Sequence, residues 1–251
     1  MSRGLSLLAW LDSPARVAPY LEEIAQTPVA ADAARVYDEA LNKRRAGFVR
    51  ARSPRLLDIG ASHWFHLTRV YNTISPSLRG SFRMVEIAPL LTNWVDVDVE
   101  TVERYMEIFR DGDQRKILSV CLPSERPVPR LESIGNQVTL RVAERPVHVS
   151  MSMTVTISTC VTVSVMSGRF ILVDGTHRAL ALSRLGHSYV PAVIKEELAW
   201  GGVRALAKRS FGPPTLALED PPQVGYYLNE VSIPIDLKNV DNLVHVTLGI
   251  G

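Results

Sequence analysis

The chain holds only two cysteines, Cys121 and Cys160, in 251 residues. Two thiols are too few for a disulfide framework or a four-thiolate zinc site, so a reducing cytoplasm is the expected compartment. No run approaches the roughly 20 apolar residues that span a bilayer, and no membrane partner is expected. Charge of one sign is not in excess either: 28 Lys and Arg oppose 26 Asp and Glu, for a formal net charge of +2. Electrostatics alone therefore gives no reason to expect nucleic acid, because such binders crowd far more basic side chains onto one face. Repeats and low-complexity tracts are missing as well. What is present, 46% hydrophobic and 22% charged residues, is an ordinary globular composition that names no function.

The start, "MSRGLSLLAWLDSPA", imitates a signal peptide, but Asp12 breaks its apolar run early and a first helix is the expected reading. From Leu5 to about Phe48 two helices are expected, in "PARVAPYLEEIAQ" and "AADAARVYDEALNKRRAGF", broken at Thr27-Pro28. Loops around a short strand and a short helix follow, then "FRMVEIAPLL" as a strand. "DVDVETVERYMEIFRDGDQ" reads as a helix with Val99, Val102, Met106 and Phe109 on one face and Asp98 as its cap. "KILSVCLP" reads as a strand. The proline- and charge-rich residues 123–147 read as an irregular insertion, and the alternation from His148 to Val165 as one long strand. "MSGRF" is then a hairpin turn at Gly168, "FILVDG" the returning strand, "THRALALSRLG" a short helix ended by Gly186, and "YVPAVIK" a strand. After Glu197 the expectation is a helix, "WGGVRALAKRS", then a proline-rich loop and two weak strands.

The returning strand stops on Asp174-Gly175-Thr176-His177-Arg178, and that pentapeptide carries chemistry. A strand that turns through glycine into a helix start presents unsatisfied backbone amides, a ready anion site. Gly175 permits the turn and the approach of a phosphate, Thr176 offers a cap hydroxyl, and His177 and Arg178 add donors, Arg with a bidentate fork. Asp174 is placed to hold a metal or to orient a hydroxyl. On local chemistry alone, a structural turn with a salt-bridged Arg178 and a capping Thr176 accounts for the same residues equally well.

"VDGTHRALALSRLG" followed by "VPAVI" resembles the signature of the ParB and sulfiredoxin superfamily, a G-x-x-R-x-x-A box in which Gly175, Arg178 and Ala181 hold the defining positions. The order of elements upstream is also similar, so the likeness covers about Arg83 to Glu196. It implies an α/β (α+β) fold with a mixed sheet and flanking helices, a mainly helical extension over residues 1–80, a nucleotide-binding domain over 81–198, and an appendage over 199–251. It implies ATP or ADP as ligand, CTP as the alternative, Mg²⁺ as companion ion, and phosphoryl transfer or nucleotide hydrolysis on a small molecule. Asp174, His177 and Arg178 are the implied catalytic residues; Gly175, Thr176, His177, Arg178, Thr101 and Arg104 the implied nucleotide contacts. The reactive cysteine of sulfiredoxins is replaced here by Thr176. The partition-protein branch, a CTP-gated module acting on DNA or a protein partner, is the alternative, although no helix-turn-helix follows the box. A ParB-like nuclease is third. The free serine kinases carry the box Asp-Gly-His-His-Arg, one residue different from this one; their further carboxylate has only Glu86, Asp96 or Asp98 as imperfect counterparts here.

Other features have simpler accounts. "LLDIGAS" has one glycine where a methyl-donor loop needs several. His63 and His66 lack a third ligand at metal-site spacing. Lys43, Arg44, Arg45, Arg50 and Arg52 read as a solvated helix end, and Cys160 as a small buried residue.

Overall fold

The computed structural model describes residues 2–24, 32–59, 82–122, 130–134, 137–142, 145–150, 160–196 and 209–237. It is a mixed α+β structure built around a six-stranded sheet. The strands are β2 (Leu56–Leu57), β3 (Phe82–Glu86), β4 (Leu91–Thr92), β9 (Thr162–Met166), β10 (Arg169–Asp174) and β11 (Tyr189–Glu196), in the order β2-β3-β11-β9-β10-β4. Pairing is parallel in β10–β4 and β11–β9 and antiparallel elsewhere. The sheet is mixed because a hairpin sits inside it. Ser167 (φ 49°) and Gly168 (φ 74°) make the two-residue turn, and two positive-φ residues match the twist of the flanking strands.

Helix α3 (Val99–Phe109) forms as its pattern predicts. Asp98 caps it by accepting from the Glu100 amide, and Val99, Val102 and Phe109 are buried. It packs against α5 (Thr176–Arg184), the helix that leaves β10. Gly186, with φ 90°, follows the end of α5 as expected.

Several expectations are corrected. "KILSVCLP" is not a strand but most of α4 (Gln114–Cys121). Asp113 caps it, accepting from the Arg115 amide at 3.0 Å, and Ile117, Leu118 and Cys121 recur at helical spacing on the buried side. "FRMVEIAPLL" is two strands, β3 and β4, separated by a turn that is closed by the Leu90 amide on the Ile87 carbonyl. The described residues between 130 and 150 are not irregular: β6 (Arg130–Ile134), β7 (Gln137–Val142) and β8 (Arg145–Ser150) form an antiparallel sheet. Of the long alternating strand, β8 and β9 are its two ends, and residues 151–159 lie outside the described residues.

The two amino-terminal helices are present as α1 (Pro14–Ile24) and α2 (Ala33–Ala46). The first of them follows Asp12, as expected, and the chain ahead of it is not α-helical. β1 (Ser2–Ser6) lies between β12 (Ile233–Leu237) and β5 (Asp96–Asp98) in an antiparallel sheet, and Leu8–Trp10 form a 3₁₀ turn. Leu7, Leu8 and Trp10 are fully sheltered, so this apolar run is core of the fold. Arg44 is not a solvated helix end either. Its guanidinium lies 4.5 Å from the Trp10 ring centre and bonds Asp220 at 2.8 Å. The expected helix at 200–210, and His63 and His66, fall mostly or wholly outside the described residues. Among the described residues no helix is long and apolar enough to cross a membrane.

Candidate functional site

The pentapeptide sits where β10 hands over to α5. Leu172 pairs with Val163 but Asp174 pairs with Thr162, so two residues of β10 oppose one step of β9. A bulge of this kind bends the strand and re-aims its last side chain. Gly175 then takes φ 92°, ψ 19° as the residue before the helix, with no side-chain cap bond. Thr176 is thus the first helical residue and not the cap that its sequence position promised. The amides of the first turn of α5 have no intrahelical acceptor, and the glycine at the cap position has no side chain with which to bond them.

Gly175 is required by packing as much as by its dihedrals. A Cβ there would stand 2.7 Å from Val161 Cγ2 and 3.1 Å from Val161 Cα, so its missing side chain faces Val161, the residue ahead of β9. The Thr176 side chain is turned inward, 3% exposed, and its hydroxyl has no hydrogen-bond partner. Asp174 Oδ2 is likewise sheltered and unpartnered. Burial pushes the Asp174 carboxyl above its ordinary range, against the opposing pull of Arg178 and of the Gly175 amide.

Arg178 departs from its expected pose. Only 7% exposed, it donates through Nη1 to the Val120 carbonyl at 3.0 Å and approaches Asp174 Oδ1 at 3.6 Å. Val120 lies in the last turn of α4, where carbonyls are left over and a cation is favoured. Arg178 therefore ties α5 to α4 and stands behind the turn as a fixed positive charge. Burial pushes the thiol of neighbouring Cys121 up to about 12, despite Arg178.

His177 accepts from the Asp98 amide through Nε2 at 3.1 Å. Its proton is then on Nδ1, the nitrogen left to donate. Burial lowers its pKa, against the pull of Asp98 and Asp96, so the ring stays neutral at neutral pH. Thr101 donates to Asp98 Oδ2 at 2.6 Å. Arg104 is exposed and pairs with Glu100 at 3.8 Å. The structure thus brings Asp174, Gly175, Thr176, His177 and Arg178 together at one turn, while Thr101 meets them only through Asp98, and Arg104 through no contact seen among the described residues. Of the weighed carboxylates, Asp96 is tied to Arg209 and Glu86 to Arg52 and the Arg55 amide.

One residue escaped sequence reasoning. Asn93 is 2% exposed, and its side-chain oxygen joins Asp174 Oδ2 and Thr176 Oγ1 as a buried side-chain atom without a partner among the described residues. It follows β4, which runs parallel to β10 with Thr92 beside Leu172. Nothing local in "LLTNW" marks it. Its relation to the pentapeptide comes only from strand pairing.

Comparison with known proteins gives no relative. No protein-family model, curated protein or solved structure matches this chain. The reading of the site therefore rests on its own geometry. Among the described residues no group of three or more His, Cys, Asp or Glu side chains is arranged to hold a metal. A cleft of about 640 Å³ lined by Phe48, Arg50, Arg52, Arg169 and Phe170 lies at the hairpin end of β10, the opposite end from Asp174.

Proposed function

We propose that the turn from Asp174 to Arg178 binds a nucleotide phosphate, of ATP or ADP ahead of CTP, and serves phosphoryl transfer to a small hydroxyl-bearing molecule or to water. The carrying observation is a helix start with glycine at its cap position, beside two sheltered, unpartnered oxygens, Thr176 Oγ1 and Asp174 Oδ2. Unpaired buried polar atoms are costly, and perturbed carboxyls gather where a ligand or a reaction uses them. The box that resembles the ParB and sulfiredoxin signature falls on the same residues.

In this reading the first-turn amides of α5 and the Thr176 hydroxyl hold phosphate oxygens, and His177 Nδ1–H adds a donor. Arg178 supplies positive potential from behind the turn and is not a direct fork. Asp174 Oδ2 accepts the hydrogen of the attacking O–H. The acceptor oxygen bonds to the terminal phosphorus as the bond from that phosphorus to the bridging oxygen breaks; the proton goes to Asp174 and the shortened nucleotide leaves. Mg²⁺ accompanying the nucleotide would take its ligands from phosphate oxygens and water, and would neutralise phosphate charge without drawing on Asp174.

Calorimetry with ATP, ADP, CTP and GTP, comparing the parent with Thr176→Val, tests the binding. Losing a hydrogen bond to a charged group costs about 1.5 to 3 kcal/mol, roughly ten- to hundredfold in affinity. Equal affinities in parent and variant would move the phosphate away from this turn, and a parent that binds none of the four would end the proposal. Phosphate release, measured with and without duplex DNA, separates turnover from the CTP-gated binding module and from a nuclease. Binding without release would favour the module.

Asp174→Asn is expected to keep nucleotide affinity or improve it, and to abolish most turnover, because it removes a proton acceptor and a charge that repels phosphate. It should also raise thermal stability. The folded pKa of Asp174 lies above its ordinary 3.8, so its contribution to stability is fully present below about pH 4 and is lost as pH rises through the raised value. The stability gap in favour of Asn should therefore open between about pH 4 and neutrality, as read by melting temperature across pH. A variant that unfolds instead would make Asp174 and Arg178 a purely structural lock.

A further inference from the structure

We infer that Asn93 belongs to the same site and recognises a hydrogen-bond donor on the nucleoside part of the ligand, a ribose hydroxyl or an exocyclic amino group of the base. This rests on the nucleotide reading above and extends it to a residue outside the box. β4 and β10 are adjacent and parallel, with Leu91 beside Ile171 and Thr92 beside Leu172. Asn93 follows the last residue of one strand and Asp174 is the last of the other. Asn93 is one residue beyond Thr92 and Asp174 two beyond Leu172, so the two close neighbouring strands at the same edge of the sheet. Both lie at the carboxyl ends of parallel strands, the edge at which open α/β sheets take their ligands.

The backbone around Asn93 is held on every side. Its carbonyl accepts from the Phe211 amide at 2.6 Å, the Thr92 amide donates to the Pro222 carbonyl, and the Val95 amide to the Arg209 carbonyl, both at 3.0 Å. Tyr227 donates to the Trp94 carbonyl at 2.6 Å. The segment is thus rigid, yet the side-chain oxygen it carries inward is bonded to nothing. An amide oxygen only accepts, so phosphate oxygens cannot satisfy it; a donor is needed, and on a nucleotide whose phosphates occupy the start of α5 the donors are on the sugar and the base. A pre-placed acceptor of this kind penalises analogues that lack the matching donor, because the site's polar atom is then left unpaired.

The test uses ATP, 2′-deoxy-ATP, 3′-deoxy-ATP and ITP against the parent and Asn93→Leu, with melting temperature measured in the absence of nucleotide. The parent should bind ATP at least about tenfold tighter than one of the three analogues; the deoxy forms identify a sugar contact and ITP a base contact. Asn93→Leu should bind ATP as weakly as that analogue, lose the discrimination, and melt at the same temperature as the parent or higher. A structural asparagine would instead lower the melting temperature on replacement. A parent that binds ATP and all three analogues alike, a variant that keeps the discrimination, or a fall in melting temperature overturns the role of Asn93 while leaving the phosphate site standing. Failure of the parent to bind ATP at all removes both.

Discussion

Arg209→Met should be the most damaging single change outside the pentapeptide, costing about 3 to 5 kcal/mol, because it leaves a carboxylate buried without its partner. Asp96, in β5 at the edge of the sheet that joins β12, β1 and β5, has a side chain with no exposure. Arg209 holds both of its oxygens, from Nε at 2.9 Å each and from Nη2 at 2.5 Å. The phenols of Tyr20 and Tyr227 are pushed up first by their own burial and then by Asp96, so both remain protonated and offer the carboxylate no positive charge. At about 2 to 4 °C per kcal/mol for a chain of this size, the melting temperature should fall by about 6 to 20 °C. Combining it with Asp96→Asn should recover most of the loss, since the pair rather than either member is what the fold requires. A variant that melts within 2 °C of the parent would mean that Asp96 finds another partner.

Gly175→Ala is expected to cost about 2 to 5 kcal/mol, the sum of a left-handed backbone in an L residue and an overpacked contact. The contact cannot relax easily. Val161 stands 2.7 Å from the new Cβ, and its backbone is held at both ends, by its amide on the Cys121 carbonyl at 2.6 Å and by its own carbonyl on the Val193 amide at 2.9 Å. Adding Val161→Ala should return the part due to Cγ2 but not the part due to the dihedral. Denaturant midpoints of the two variants separate the contributions. A loss under about 0.5 kcal/mol for the single variant would show that the turn adopts another conformation. Any variant that folds should bind nucleotide poorly, because the same turn sets the direction of the α5 amides.

These expectations show how far local sequence reaches. The hairpin at Ser167-Gly168, the strand β10, the left-handed Gly175, helix α5 and its end at Gly186 were all legible, because each is decided by neighbours within a few residues. Helix α3 was legible for the same reason, with Asp98 capping a regular apolar stripe. "KILSVCLP" was misread because a short apolar run suits a buried strand as well as a buried helix face; the Asp113 cap and the spacing of Ile117, Leu118 and Cys121 decide for the helix. The pieces at 130–150 were misread because proline and charge, which discourage a central strand, are tolerated in a small sheet of short strands.

By itself the sequence determined the pentapeptide as the point where the chain turns from strand into helix, and the residue types gathered there. Only the tertiary structure decided what those residues face. Arg178 turns to the end of α4, Thr176 turns inward, His177 meets the start of α3, and Asn93 arrives beside Asp174 across a parallel pairing of strands some 80 residues apart, the separation of Thr92 and Leu172. Likewise β1, at the first residues of the chain, lies between the strand at Ile233–Leu237 and the one at Asp96–Asp98. Turn chemistry and helix capping act through bonds between near neighbours and so are written in short words of sequence. Strand partners, buried ion pairs and unpaired polar atoms depend on which distant surfaces meet when the core closes, and no short word records that.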